Sequence, residues 1–452
     1  MAEDTDDMLD DRRTGAVLEA VGAGDAVRLA ALLDELHAAD IADLLEQIGP
    51  ADRAALLALW QGGMDGDVLS EIDESIREEV VEALSPEVLA EAVRDLETDD
   101  VVDLLEDLEG AQAAAVLGAL EAGDRAAVEA AFAFPEGSAG RLMQREVVVA
   151  PQHWTVGDAI DFLRHAAHLP DQFYHVILVD PRMAPVAYVT LGRILSAARE
   201  TPLSSITEDS FRTVAADEPE ADVAYIFNQY HLISCPVVDA GGRLVGVITI
   251  DDAMAVLDES HEEDMLRMAG VDEDSSIADG VWDTVRARMP WLAVSLVTAN
   301  IGALVIAQFE AVIAAVVVLA ALMPIVAAMG GNAATQSLTV AVRALATRDL
   351  TGANAWRVVR RELAVGVING ACFALVMGGL AWALFGAPVI GAVLGLALVL
   401  TLIVAALAGV LVPLVLNRMG FDPALSSGTF VITLTDVIGF FAFLGLATVV
   451  LL

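Results

Sequence analysis

LAVGVINGACFALVMGGLAWALFGAPVIGAVLGLALVLTLIVAALAGVLVPLVLN, Leu363–Asn417, runs for 55 residues without one charged side chain. A helix needs about 20 apolar residues to cross the hydrocarbon core of a bilayer. The run is therefore two spans, with Gly386-Ala-Pro388 as the turn between them. Working outward, Met289–Phe309 and Ala311–Val342 are also uncharged, and Asp436 alone interrupts Pro423–Leu452. Five spans follow, near 290–310, 313–342, 360–385, 389–416 and 426–449. Arg286 and Arg288 precede the first span. Arg343, Arg348, Arg357, Arg360 and Arg361 lie between the second and third, and Arg418 lies between the fourth and fifth. By the positive-inside rule the N-terminal part is cytoplasmic and the C-terminus lies outside. Trp291 suits an interfacial anchor.

The rest of the chain has the opposite character. The 452 residues carry 66 acidic and 24 basic side chains, and every basic one is arginine. From Pro290 onward only Glu310, Asp349, Glu362, Asp422 and Asp436 are acidic, against six arginines, so residues 1–289 hold a net charge of −43. Such a surface repels nucleic-acid backbones and anionic headgroups, which excludes nucleic acid as a partner. Leu, Ile and Val at helical spacing argue against disorder. Two cysteines, Cys235 and Cys372, are too few for a disulfide framework or thiolate metal site. The acidic N-terminus has no apolar stretch and is not a signal peptide.

Two features of the spans carry chemistry. Asp436, in Thr433-Leu-Thr435-Asp436-Val, falls near mid-membrane, where an ionised carboxylate costs about 2.5–3.5 kcal/mol even on a lenient scale. It is either bonded to its own helix, with Thr433 or Thr435, or faces a wet cation pathway. Pro324-Ile-Val-Ala-Ala-Met-Gly330-Gly331-Asn332-Ala-Ala-Thr-Gln336 is expected to interrupt the second span, since proline and paired glycines weaken a helix and free carbonyls. Asn332 and Gln336, four apart, share a face. Small residues alone mean close packing, whereas amides beside them point to a pore lining.

In the acidic part, residues 1–133 are predicted all-helical. Asp40-Ile-Ala-Asp43-Leu-Leu-Glu46-Gln-Ile48 recurs 60 residues later as Asp100-Val-Val-Asp103-Leu-Leu-Glu106-Asp-Leu108, the mark of stacked helices. Asp99 and Asp103 fall on one helical face. After Phe134-Pro135-Glu-Gly-Ser-Ala-Gly140 a second duplication appears at an offset of 59, taking Val179-Asp180 to Val238-Asp239 and Thr190 to Thr249. Each copy reads helix, strand, turn, strand, helix, and resembles one half of a tandem CBS pair, a module that often binds adenosine nucleotides. Thr249 and Asp252 of the second copy are candidates for a ribose, while the first copy has Gly192-Arg193 in place of the acid. Beyond it run Leu257–Asp264, with Glu259 and Glu263 four apart and Asp264 adjacent, then the acidic 271–276 stretch and Trp282–Pro290. A helix this acidic needs cations or a partner.

The whole chain resembles the MgtE family of magnesium channels. The resemblance rests on the domain order, on Pro324 through Gly330-Gly331-Asn332 to Gln336 with Arg343-Ala-Leu-Ala-Thr-Arg348-Asp-Leu after it, on Asp422-Pro-Ala-Leu and Thr435-Asp436-Val, and on Ser138-Ala-Gly140-Arg-Leu-Met143. It implies a multi-domain integral membrane protein, multi-pass in the inner or plasma membrane. Its parts are an all-α superhelical N domain (1–133), an α/β tandem CBS pair (134–257), a long connecting helix (258–288) and a five-helix transmembrane domain (289–452). It implies a homodimer with a pore between the membrane domains. Asp436 falls on the pore aspartate, with Pro324, Gly330, Gly331, Asn332 and Gln336 lining the path. Asp99, Asp103, Asp252, Glu263 and Asp264 fall on cytosolic Mg2+ sensor positions; Ser260 and His231 stand where the family pattern is acidic, with Glu259 or Glu262 able to compensate for the first. Mg2+ is the implied ion, with ATP as a further ligand at the CBS pair.

Feedback follows from the charge. Repelling carboxylates separate the cytoplasmic parts when Mg2+ is scarce, and bridging ions close them when it rises. Two rivals remain on sequence. One is a CBS-regulated transporter of Co2+, another divalent cation or an anion, the last disfavoured by Asp436 and the absence of an intramembrane arginine. The other is an intramembrane enzyme or sensor, which lacks a second catalytic group at depth. Cys372 is better assigned to packing.

Overall fold

The computed structural model describes residues 11–452 except 61–63, 107, 109, 167–168, 171–172, 273–274 and 276–279. Its first element group is a stack of short helices. These are α1 (Asp11–Ala23), α2 (Ala26–Leu33), α3 (Ala38–Gln47), α4 (Pro50–Leu59), α5 (Gly66–Ser70), α6 (Glu74–Ala83), α7 (Pro86–Asp95), α8 (Thr98–Glu106), α9 (Ala111–Ala119) and α10 (Ala122–Ala131). The sequence repeat of 60 resolves into units of 12. Ile48, Trp60, Leu84, Leu96, Leu120 and Phe132 each cap a helix C-terminus at multiples of that spacing. Ile72 and Leu108 continue the series in the core. A polar or glycine residue at the next position opens the following helix, as Ser85 does by accepting from Val88 N at 3.3 Å. Ten helical residues and two linking ones cannot bury a face alone, so from α3 on most helices pack on the next but one: α3 on α5, α4 on α6, α5 on α7, α7 on α9, α8 on α10.

Two buried arginines staple the layers. Arg53 donates to Leu45 O and Ile48 O and pairs with Glu79 at 2.5 Å. Arg77, 24 residues on, donates to Ile72 O and pairs with Asp103 at 3.0 Å. Burying a guanidinium is tolerable because carbonyls and a carboxylate meet its donors.

The duplicated α/β part follows, with β1 (Val149–Pro151), α11 (Val156–His165), β2 (His175–Val179), β3 (Pro185–Thr190), α12 (Leu191–Ser196), β4 (Val214–Ala215), α13 (Glu220–Tyr230), β5 (Ser234–Val238), β6 (Leu244–Thr249) and α14 (Ile250–Ala269). The sheets β1-β2-β3 and β4-β5-β6 share one topology, parallel then antiparallel. Even the registers repeat at 59, with His175 opposite Thr190 and Ser234 opposite Thr249. His175 Nδ1 and Ser234 Oγ, equivalent positions in the two copies, meet at 2.5 Å. Burial holds the His175 pKa below its usual value.

Contacts divide the chain into Met1–Ser260 and His261–Leu452. The second unit holds the end of α14, then α15 (Val281–Ala307), α16 (Glu310–Ala315), α17 (Val318–Ala346), α18 (Ala355–Phe385), α19 (Pro388–Met419) and α20 (Pro423–Leu451). Five of these are long and apolar enough to cross a membrane: α15, α17, α18, α19 and α20. Gly386, at φ +67°, ends α18, and Pro388 opens α19 as its first residue, as the turn signal required. α19 is central, packed against α17, α18 and α20, while α15 leans on α20. A Cβ on Gly391 would lie 2.3 Å from Gly378 O, so α18 and α19 touch backbone to backbone.

Two expectations are corrected here. Pro324 and the glycine pair do not interrupt the second span, and α17 is continuous through both. Pro324 removes one hydrogen bond only, and Gly330 is spent on helix packing instead. Residues 258–288 are not one connecting helix. α14 starts inside the second CBS copy and ends at Ala269, where Gly270 takes φ +73°. Trp282–Pro290 belong to the first membrane helix. Of the expected acidic stretch 271–276, residues 273, 274 and 276 lie outside the described set.

Candidate functional site

Carboxylates gather where α8 meets the start of α14. Asp99 is buried, 7% exposed. Burial first, then the Asp252, Asp100 and Glu97 carboxylates, hold its pKa well above the usual range. Burial and then Asp252 and Glu97 push Asp100 to about 7. Burial, Glu146, Asp252 and Asp251 raise Glu97 to about 7, against a hydrogen bond from Gln144. Asp252, raised to about 6 by burial and Asp251, accepts from Thr249 Oγ1 at 2.5 Å. Glu146 accepts from Thr98 Oγ1 at 2.7 Å. The charged neighbours that act on these acids are themselves acids, a costly arrangement unless protons or cations intervene.

Of the sequence candidates, Asp99 and Asp252 come together here. Asp103, one turn along α8, instead pairs with Arg77, its side chain 56% exposed. Glu97, Asp100, Glu146 and Asp251 were missed. The period-12 boundary at Leu96 was the signal that would have placed Glu97 and Asp100 beside Asp99 at a helix start. Thr249 and Asp252, taken for ribose contacts, hydrogen-bond to each other across the first turn of α14, Asp252 also accepting from Thr249 N at 3.3 Å.

A second group lies at the end of α14. Glu259 is exposed one turn before Glu263. Arg267 pairs with Glu263 at 3.3 Å and with Asp422 at 3.0 Å. Asp422 also caps α20, accepting from Ala424 N at 2.7 Å. Asp264 is raised by burial and by Asp422, with Arg267 and His261 opposing. Met268 packs on Leu338 and Val342 of α17 and on Ala424 of α20. The end of α14 is thus clamped to the two helices that carry the membrane motifs.

Within those helices, Asp436 is half-buried near the middle of α20. Thr433 and Thr435 spend their hydroxyls on Thr429 O and Ile432 O, so neither is committed to the carboxylate. Gly330 is buried, and a Cβ there would stand 2.8 Å from Thr401 Cγ2 and 3.7 Å from Thr435 Cβ. Gly331 has open space around it, and Pro324, Asn332 and Gln336 are exposed on the outer face of α17.

Comparison with known proteins matches these parts one by one. The MgtE family model, described as a divalent cation transporter, covers residues 323–446. The MgtE intracellular N domain covers 36–137, and a CBS domain 203–259. The magnesium transporter MgtE of Thermus thermophilus is 34% identical over 326 residues, 72% of each chain. The chain belongs to the MgtE family. This is a family of transporters, not enzymes, with a CBS regulatory module and a multi-pass membrane domain. The MgtE magnesium transporter of Bacillus subtilis is 28% identical over 70% of each chain. A crystal structure of the cytosolic domain of the Mg2+ channel MgtE in complex with ATP superposes with a TM-score of 0.50 at 29% identity. It covers 54% of this chain and 99% of that one. The membrane model of the MgtE family spans Pro324 to Asp436, the stretch from which both sequence motifs were taken.

Proposed function

We propose that the protein is a magnesium channel of the plasma membrane, a homodimer whose pore closes when cytosolic Mg2+ binds its acidic sites. The observation that carries transport is Asp436, the one charged side chain in α20, half-buried at depth and free of its neighbouring threonine hydroxyls. Mg2+ sheds water reluctantly. Two such carboxylates across a dimer axis would hold the hydrated ion without gripping it, as permeation demands. Asn332 and Gln336 on the exposed face of α17 offer amides to the same water shell, with Pro324 and Gly331 shaping the path and Gly330 turned inward onto Thr401. The N-terminal unit is placed in the cytoplasm and the C-terminus outside, from the arginine distribution.

Closure follows from the acids. Among the described residues no three His, Cys, Asp or Glu side chains converge on one bare ion. The Glu97, Asp99, Asp100 and Asp252 group therefore suits an ion that keeps its water. Such an ion would relieve their mutual repulsion and fix α8 to the start of α14. Asp103 would join only by leaving Arg77. Glu259, Glu263 and Asp264 form the second sensor group, coupled to α20 through Asp422. ATP is assigned to the CBS pair from the nucleotide-bound relative, as a modulator. The test is Mg2+ flux into proteoliposomes, with Co2+ and Ca2+ as competitors. Asp436→Asn is expected to abolish flux while the protein still purifies as a folded dimer. Undiminished flux in that variant refutes the pore assignment, and a Co2+ current unaffected by Mg2+ refutes the ion.

A further inference from the structure

The first two turns of α18 read Trp356-Arg357-Val-Val-Arg360-Arg361. Ala355 and Val359 are buried against Ala341, Leu350, Val410 and Leu414, which fixes the helix and turns the other positions outward. Trp356 is 71% exposed, and Arg357, Arg360 and Arg361 are exposed beside it. Among the described residues none of these three arginines has an ion pair or a side-chain hydrogen bond. Other arginines of this acid-rich chain do find partners. Acids outnumber arginines 66 to 24, and Arg28, Arg53, Arg141, Arg193, Arg199 and Arg243 each have a carboxylate partner.

The nearby carboxylates are used elsewhere. Glu362 accepts from Ser337 Oγ of α17 at 3.0 Å. Asp349 accepts from Thr347 Oγ1 at 2.9 Å. One turn further along α18 the exposed side chains become apolar, at Leu363, Val367 and Ile368. From Arg361 to Phe385 the helix is about 36 Å long, enough to cross a hydrocarbon core of about 30 Å. The three arginines and Trp356 therefore stand at headgroup depth, at the positive end of the helix dipole.

We propose that this face binds the phosphodiester headgroups of anionic phospholipids. Arginine forks match a phosphate in geometry and charge, the tryptophan ring seats at the interface, and the apolar turn below receives the acyl chains. A −42 protein would otherwise be repelled by an anionic leaflet, and here it keeps a basic foothold in it. The proposal needs only that α18 crosses the membrane, and does not depend on which ion is carried or how the pore is gated.

The test uses the full-length protein in detergent, offered phosphatidylglycerol or phosphatidylcholine, with retained lipid read by native mass spectrometry. Phosphatidylglycerol is expected to be retained in preference, and the preference to shrink with added salt. Each of Arg357→Gln, Arg360→Gln and Arg361→Gln should weaken retention about fivefold, while the matching lysine variants keep most of it. Single substitutions on an exposed face leave the packed side of α18 intact, so folding is not in question. Equal retention of the two lipids, or an unchanged preference in all three glutamine variants, overturns the proposal.

Discussion

Asp99 and Asp103 sit one turn apart on α8 and face opposite fates. Asp99 is buried among carboxylates, and Asp103 neutralises a buried arginine from another layer. Their spacing made them a pair in the sequence. Their partners, Asp252 and Arg77, come from residues 153 and 26 positions away, which spacing cannot reveal. The distinction is measurable by thermal unfolding of the full chain in EDTA. Asp99→Asn removes one member of a repelling group and should raise the midpoint. Asp103→Asn leaves Arg77 buried without its counter-ion, and should lower stability by about 1–3 kcal/mol. Equal shifts from the two variants would mean that the carboxylate group at α8 is not strained.

At the scale of elements, the five spans were legible because charge-free length and arginine placement are properties of composition. The continuity of α17 was not. Proline and glycine weaken a helix in isolation, but Gly330 lets α17 approach Thr401 of α19, and that packing outweighs one missing hydrogen bond. The end of α14 was also hidden, since Arg267 reaches Asp422 across 155 residues. This contact supplies a built-in cation beside Glu263 and Asp264, the acids proposed above as the second sensor group. Arg267 should therefore favour closure even before Mg2+ binds. Arg267→Gln is expected to shift the Mg2+ concentration for half-closure upward several-fold in proteoliposome flux, with Arg267→Lys close to the parent. An unchanged midpoint in the glutamine variant would reduce the clasp to a structural contact.

For the whole molecule, the excess of 43 negative charges on residues 1–289 becomes specific at one place, the seam of Glu97, Asp99, Asp100 and Asp252. Burial and mutual repulsion hold Glu97 and Asp100 at about 7 and Asp252 at about 6, whereas an unfolded chain titrates them near 4. Between those limits the folded state binds more protons than the unfolded one, so stability is highest at the acid end and falls as pH rises through about 7. On the proposed binding of Mg2+ at this seam, protons and Mg2+ relieve the same repulsion and must compete. The rise in unfolding midpoint caused by Mg2+ should then be small at pH 5.5, where protons already occupy the seam. It should be large at pH 8, where Glu97, Asp100 and Asp252 have lost their protons. The measurement is the midpoint of the full chain with Mg2+ and with EDTA at both values, repeated with Asp252→Asn, which should flatten the difference. A Mg2+ increment independent of pH would show that the ion acts elsewhere, at Glu263 and Asp264 or on the general surface charge.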